Sequence, residues 1–212
     1  MPDAQCTDYR ISRHRLGIDG KGVTTLVAFH GCPLHCHYCL NPACLDGNGI
    51  WCQMTTEELL EEVHIDNLYF QATGGGITFG GGEPCLHSLF IEEFTEMAPA
   101  EWNIAIESSL NVDRQHVERL LPIASQWIVD IKDTDPEIYQ SYTRKDNTRA
   151  LDNLRWLLSH DNMTQRIIVR LPHIPQFNTD EDIEKSRRLL TAMGVTNLDE
   201  FEYITERPLR NK

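Results

Sequence analysis

Apolar stretches in this sequence are short. None approaches the ~20 residues that a membrane-crossing helix needs, so a helical membrane protein is excluded. The opening segment, MPDAQCTDYRISRHR, is polar and lacks the apolar core of a secretory leader. A cytoplasmic protein with no membrane partner is the expectation. Basic residues are scarce: 19 Lys and Arg stand against 32 Asp and Glu, for a net charge of −13. Nucleic-acid binding draws on a cationic face, so no nucleic-acid partner is expected either. Internal repeats, low-complexity tracts and long linkers are also missing. What is present is 212 residues, 41% hydrophobic and 24% charged. That is an ordinary globular composition, long enough for a real core. One domain over residues 1–212 is expected, with its core at about 17–205.

Runs rich in β-branched residues alternate with helical patterns. Strands are expected at Thr24–His30, Gly76–Phe79, Asn103–Ile106, Gln126–Ile131, Arg166–Leu171 and Phe201–Ile204. Helices are expected from Thr55 to about Leu68, and at Ser88–Met97, Asp113–Leu121, Asp135–Tyr142, Thr148–Leu158 and Thr179–Met193. Strand–helix alternation implies parallel βαβ units, in an open or partial barrel or a doubly wound sheet. Chemistry in such folds collects at the C-terminal ends of the strands. Here those ends carry the cysteine loop after the first strand, Gly80-Gly81-Gly82-Glu83-Pro84, Glu107-Ser108, Asp130-Ile131-Lys132, and Arg170.

The chain has 7 cysteines. An odd number without an export signal argues against a disulfide framework and for metal binding. Cys32, Cys36 and Cys39 follow C-x3-C-x2-C. Three thiolates on one loop can hold three corners of a cubic iron–sulfur cluster and leave one iron open. A zinc ion completed by His30, His35 or His37 is the rival reading. The glycine triplets 74–76 and 80–82 let backbone approach a ligand closely. They lack the spacing of a phosphate loop. On a strand, residues two apart share a face, so Asp130 and Lys132 point the same way. With Glu83, Glu107 and Arg170 they make a mixed-charge set directed into a barrel; an ordinary salt-bridge set lining a narrow barrel is the alternative.

CPLHCHYC resembles the signature of radical S-adenosylmethionine (SAM) enzymes. GIDGKGVTTLVAFHGCPLHCHYCLNP, GGGITFGGGEP and VDIKDTDPEIYQSYTRKDN, in that order, resemble the glycyl-radical-enzyme activating enzymes, of which pyruvate formate-lyase activase is the type. The resemblance runs from about Gly17 to Met193. It implies an α/β fold, a partial (β/α)6 TIM-like barrel. It implies an oxidoreductase of anaerobic conditions with a [4Fe-4S] cluster on Cys32, Cys36 and Cys39, and with SAM as cofactor. Reductive cleavage of SAM gives a 5′-deoxyadenosyl radical, which takes hydrogen from a glycine of a partner glycyl radical enzyme. No catalytic side chain is implied beyond the cluster and SAM. The electron would come from a flavodoxin or ferredoxin-type donor.

The same resemblance implies SAM-binding roles for Tyr38, Leu40, Asn41, Gly81, Gly82, Glu83, Asp130, Lys132 and Arg170. It implies a monovalent cation near Glu107, Ser108 and Asp130, and contact of Asp19 and Lys21 with the partner. The match has departures. Lys21 stands where the family usually has Pro, and Thr24 near a usual Arg. Only Cys44 and Cys52 fall where larger relatives carry a ferredoxin-like insert. Cys6, Cys44, Cys52 and Cys85 could together hold a second cluster, although Cys85 reads better as a buried apolar residue. The usual final helix and its His-containing loop are missing after the last strand, leaving a sheet edge to be covered. A radical SAM enzyme acting on a peptide or small heterocycle, and a non-catalytic zinc or electron-transfer module, are the other readings.

Overall fold

The computed structural model describes residues 6–45, 52–203 and 205. β1 (Cys6–Leu16) turns back as β2 (Val23–Phe29), and β3 (Cys52–Met54) pairs with the start of β1. Then follow α1 (Thr56–His64), α2 (Asn67–Thr73), β4 (Gly76–Gly81), α3 (Ser88–Met97), β5 (Asn103–Ser108), α4 (Arg114–Leu120) and β6 (Gln126–Asp130). The chain continues through α5 (Pro136–Thr143), α6 (Thr148–Leu158), α7 (Met163–Arg166), β7 (Ile167–His173), α8 (Asp180–Ala192) and β8 (Leu198–Glu202). The eight strands among the described residues form one sheet in the order β3-β1-β2-β4-β5-β6-β7-β8. From β2 to β8 every pairing is parallel, whereas β1 and β3 are antiparallel additions. Among the described residues β3 and β8 do not pair, so the sheet is an unclosed barrel, as the family resemblance implied.

Alternation divides the strands into two faces. Val27, Phe29, Ile77, Phe79, Ile104, Ile106, Trp127, Val129, Ile167 and Val169 are buried in the core that also holds Leu59, Phe90, Phe94, Leu154 and Leu190 from the helices. Burying each such side chain contributes roughly 1.5–3 kcal/mol. The intervening residues Glu107, Asp130 and Arg170 therefore face the concave side, where they line a cavity. The large apolar residues of the strands pack into the outer layer, and the charged ones stand on the concave side beside Leu34, Leu40 and Tyr203.

Three expectations are corrected. β1 and β3 were missed, because CTDYRISRHRL is polar at alternate and adjacent positions and shows no apolar run. The helix expected from Thr55 to about Leu68 is two helices. Its start is right, with Thr55 and Glu58 forming a reciprocal capping box. It breaks before Asp66, whose carboxylate is 2% exposed and accepts from Arg13 (2.6 Å) and Thr25 (2.8 Å), a tertiary demand invisible to helical periodicity. β8 begins at Leu198, three residues before the apolar Phe201 that suggested it; pairing of Val169 with Leu198 and His173 with Glu202 sets its register. The expected lack of a final helix concerns residues 206–212, which lie outside the described residues, as does Ile204.

Candidate active site

The cysteine loop leaves β2 and is anchored by backbone. Gly31 N–H donates to the Cys44 carbonyl (2.9 Å), His35 N–H to Thr143 (2.9 Å) and His37 N–H to Tyr142 (3.0 Å). Its turn closes where Cys39 N–H meets the Cys36 carbonyl (3.2 Å). Cys32, Cys36 and Cys39 are free thiols, half-buried, and line one cavity with Leu34, Leu40, Gly81, Gly82, Glu107, Ser108, Ser109, Asp130, Lys132 and Arg170. Burial pushes the Cys32 thiol well up, with Glu83 adding to it, and burial pushes Cys36 up to about 11.

The glycine segment is joined to this loop. Gly82 N–H donates to the Phe29 carbonyl (2.9 Å) and Glu83 N–H to that of Gly31 (2.7 Å). A Cβ on Gly81 would lie 2.6 Å from that of Ala28, and Gly81 has φ +90°. A Cβ on Gly82 would lie 2.3 Å from the Gly31 carbonyl oxygen. Asn41 does not line the cavity; its Nδ2 donates to the Gly81 carbonyl (3.1 Å) and so orients that wall. Tyr38 also stands outside, packed against Phe177 and Tyr142 with ring centroids 5.9 and 6.3 Å away.

Glu83 departs from the expected rim position. It is fully buried, and its carboxylate accepts from Ser108 Oγ (2.7 Å), Cys85 N–H (3.3 Å), Ser109 N–H (3.0 Å) and Ser109 Oγ (2.6 Å). The residue following the glycines turns away from the lumen and ties the end of β4 to the end of β5. Ser109, which lines the cavity, was missed; its signal was a second serine directly after the expected Glu107-Ser108 strand end. Cys85 is buried and donates to Ser108 Oγ (3.3 Å).

The charged side chains converge as alternation required. Lys132 Nζ lies 3.3 Å from Asp130 Oδ2 and 5.7 Å from the Tyr203 ring. Burial works against the Lys132 charge, yet Asp130 first, then Cys36 and Tyr203, raise its pKa overall. Arg170 pairs with Glu107 and donates to the Ile18 carbonyl (2.8 Å). Burial raises the Glu107 carboxyl despite Arg170. Among Glu107, Ser108 and Asp130, each side chain already has a protein partner, so a cation there would have to displace or share them.

Asp19 and Lys21 lie apart from the cysteines. Asp19 is 2% exposed, bound to Arg15, with its Oδ1 4.0 Å from Arg170. Its carbonyl accepts from Thr78 Oγ1. Lys21 is exposed at the opposite end of the lumen, near Gln126 and Asn103. Among the described residues the spare cysteines form no group of three: Cys44 and Cys85 are buried, and Cys52 is exposed on β3, while the Cys6 side chain lies outside the described residues.

The residues suit an iron–sulfur cluster better than a lone ion. Among the described residues no three His, Cys, Asp or Glu side chains are drawn closely enough to hold one metal. Zinc needs its ligands around a single point, whereas a cubane takes each thiolate at a separate corner. His35 and His37 are exposed, and the His37 ring packs against Tyr38 and Phe177 with centroids 4.7 and 5.3 Å away. Metal charge deprotonates a coordinating thiol outright, which overcomes the raised pKa values.

The family model of the radical SAM superfamily matches residues 26–190. The chain belongs to the radical SAM superfamily. Within it, relatives place the chain among the glycyl-radical-enzyme activating enzymes. The (2S)-3-sulfopropanediol dehydratase activating enzyme of Klebsiella oxytoca is 36% identical, over 76% of this chain and 69% of that protein. A pyruvate formate-lyase-activating enzyme of Staphylococcus epidermidis is 29% identical, over 88% of this chain and 76% of the relative. Solved structures agree in fold. QueE from Escherichia coli superposes with TM-score 0.53 at 15% identity, over 92% of this chain and 93% of that one. Streptococcus suis SuiB bound to S-adenosylmethionine gives 0.62 at 10% identity, over 84% of this chain and 39% of that one. Radical SAM proteins use a [4Fe-4S] cluster and SAM, and the cavity just described has three thiols on one side and mixed charges on the other.

Proposed function

We propose that this radical SAM protein is an activase that makes a glycyl radical on a partner enzyme. The observation that carries the reading is one cavity bounded by Cys32, Cys36 and Cys39, the Gly81–Gly82 wall, and the Asp130–Lys132 and Glu107–Arg170 pairs. When bound, the cluster and SAM supply the reductive C–S cleavage that generates the carbon radical.

The chain's own groups then have defined tasks. The three cysteines would hold the cluster, with an iron left for SAM. The Gly81 carbonyl, bound by Asn41, would serve the SAM ammonium. Lys132, held by Asp130, would serve its carboxylate. Arg170 and Glu107 set the far wall. Asp19, buried near Arg170, holds the β1–β2 turn through Arg15 and Thr78, and Lys21, exposed on that turn, is the residue that could meet the partner. Reduced, metal-binding cysteines suit the cytoplasm, and a flavodoxin or ferredoxin-type protein suits the need for one electron at low potential. Among the described residues no helix is long and apolar enough to cross a membrane.

The test is anaerobic reconstitution with iron, sulfide, SAM and reductant. 5′-Deoxyadenosine and methionine are the expected products, together with a glycyl-radical signal on a glycyl radical enzyme encoded nearby. No 5′-deoxyadenosine would refute the chemistry; 5′-deoxyadenosine without a glycyl radical on any such enzyme would refute only the activase role.

A further inference from the structure

Hydrogen bonds to the sulfurs of an iron–sulfur cluster help to set its reduction potential. In this cysteine loop several backbone donors are already taken by oxygen. The carbonyls of Tyr142 and Thr143, at the end of α5, accept from His37 N–H (3.0 Å) and His35 N–H (2.9 Å). Cys39 N–H is held by the Cys36 carbonyl (3.2 Å). These three groups have nothing left for sulfur, so a side-chain donor beside Cys36 gains importance.

α5 brings such a side chain. Tyr142 is fully buried and packs with Ile174 and Tyr203, and Cys36, Tyr38 and Phe177 pack against the same cluster. Its ring centroid lies 5.0 Å from that of Phe177, 6.1 Å from Tyr203 and 6.3 Å from Tyr38. Rings on three sides therefore fix where the hydroxyl stands. Among the described residues that hydroxyl has no hydrogen-bond partner. The Tyr203 side chain and the Tyr38 backbone stand near it, but neither meets it in hydrogen-bond geometry. A fully buried polar group without a partner is rare, because nothing offsets the water it has lost. Phenylalanine would fill the same space with no hydroxyl to satisfy, so packing alone does not ask for tyrosine here.

The chemistry of the loop can supply the missing acceptor. In the metal-free protein burial pushes the Cys36 thiol up to about 11, so its sulfur is neutral and a weak acceptor. Iron would turn it into a thiolate, and a charged acceptor makes a stronger hydrogen bond. Burial keeps the proton on Tyr142. Lys132 also stands near Cys36, but its ammonium already faces Asp130 at 3.3 Å.

We infer that Tyr142 donates a hydrogen bond to the Cys36 sulfur once that sulfur is bound to iron, and thereby raises the reduction potential of the cluster. The inference rests on the cluster-binding reading of the cysteine loop. A donor aimed at a cluster sulfur favours the reduced state, which carries one more negative charge. Tyr142 is thus a positioning and tuning group, with no contact to SAM required.

The test compares the full chain with its Tyr142→Phe variant, both reconstituted anaerobically with iron and sulfide and kept free of SAM. A redox titration followed by electron paramagnetic resonance reads the potential. Tyr142→Phe is expected to make one-electron reduction about tenfold less favourable, a shift of about 59 mV to lower potential. Resonance Raman spectra of the unmodified protein should show an iron–thiolate stretch that moves on exchange into D2O, and the variant should lose part of that sensitivity. The metal-free variant should melt no lower than metal-free wild type, since it loses a hydroxyl that had no partner. A tyrosine needed only for the fold would give the reverse pattern, a lower melting temperature with the potential unchanged. An unchanged potential in Tyr142→Phe, or a metal-free variant that melts lower, overturns the inference while leaving the functional reading intact. Failure of the unmodified chain to take up a four-iron cluster overturns the functional reading, and this inference with it.

Discussion

Ser109 meets one oxygen of Glu83 twice, through its backbone N–H at 3.0 Å and its hydroxyl at 2.6 Å. The other oxygen takes Ser108 Oγ at 2.7 Å, and no Lys, Arg or His pairs with this buried carboxylate among the described residues. Glu83 is thus held by neutral donors, and those donors depend on it in turn. Glu83→Ala would leave them buried without an acceptor, a loss of about 1–3 kcal/mol for each unsatisfied group. We expect Glu83→Ala to lower the stability of the cluster-free protein by about 3 kcal/mol in urea unfolding, with Glu83→Gln in between. A Glu83→Ala protein as stable as wild type, with only SAM affinity lost, would make Glu83 a direct ligand instead.

The Arg170–Glu107 pair should show itself through pH. Burial already raises the Glu107 carboxyl, and Arg170 works against that rise. Arg170→Met removes the opposing charge, so the carboxyl rises further. A carboxyl whose folded pKa exceeds its unfolded value favours the folded state when protonated. Stability is then lost as pH climbs from the ordinary carboxylate range, about 4.3, through the raised folded value. The deficit of Arg170→Met relative to wild type should be small near pH 4 and grow to about 1–3 kcal/mol at neutral pH, the pair keeping some solvent exposure. Glu107→Gln in the same background should flatten the curve. A deficit independent of pH would mean that Arg170 contributes packing alone.

Gly82 is expected to be less replaceable than Gly74, although both belong to glycine triplets. A Cβ on Gly82 would press on the Gly31 carbonyl at 2.3 Å, and that carbonyl fixes the start of the cysteine loop. Nothing lies within 4 Å of a Cβ on Gly74, where only the φ of +63° is against it. Gly82→Ala should cost more than about 3 kcal/mol and reduce iron incorporation, whereas Gly74→Ala should cost about 1 kcal/mol and leave incorporation intact. Thermal melts and iron content of reconstituted protein measure both.

What could be read from the sequence follows the physics of each signal. The six parallel strands were legible because Val, Ile and Phe on their outer faces must meet helices, and Asp130 with Lys132 were placed together by strand alternation alone. Glu83 was misplaced because the path after Gly82 depends on which backbone groups the glycines allow to meet, here those of Phe29 and Gly31. β1 was missed because an antiparallel strand at the sheet margin needs no apolar run, and the break before Asp66 because its partners Arg13 and Thr25 are distant in sequence. Asn41 was named from resemblance, but its contact with the Gly81 carbonyl requires coordinates.

The cysteines give the sharpest separation. Cys32, Cys36 and Cys39 line one cavity, whereas Cys44 and Cys85 are buried and Cys52 is exposed on β3. On the proposed reading each loop thiolate is a corner ligand; His35 and His37 are exposed, and Cys85 is engaged with Ser108. Cys32→Ala, Cys36→Ala and Cys39→Ala should each yield protein with little iron and no charge-transfer absorption after anaerobic reconstitution. Cys52→Ala should match wild type in iron, sulfide and spectrum. Cys44→Ala and Cys85→Ala should retain the cluster while melting lower, since each leaves a small void in packed surroundings. Iron loss in Cys44→Ala or Cys85→Ala as deep as in Cys36→Ala, at unchanged melting temperature, would assign that residue to a metal site and redraw the boundary of the cluster.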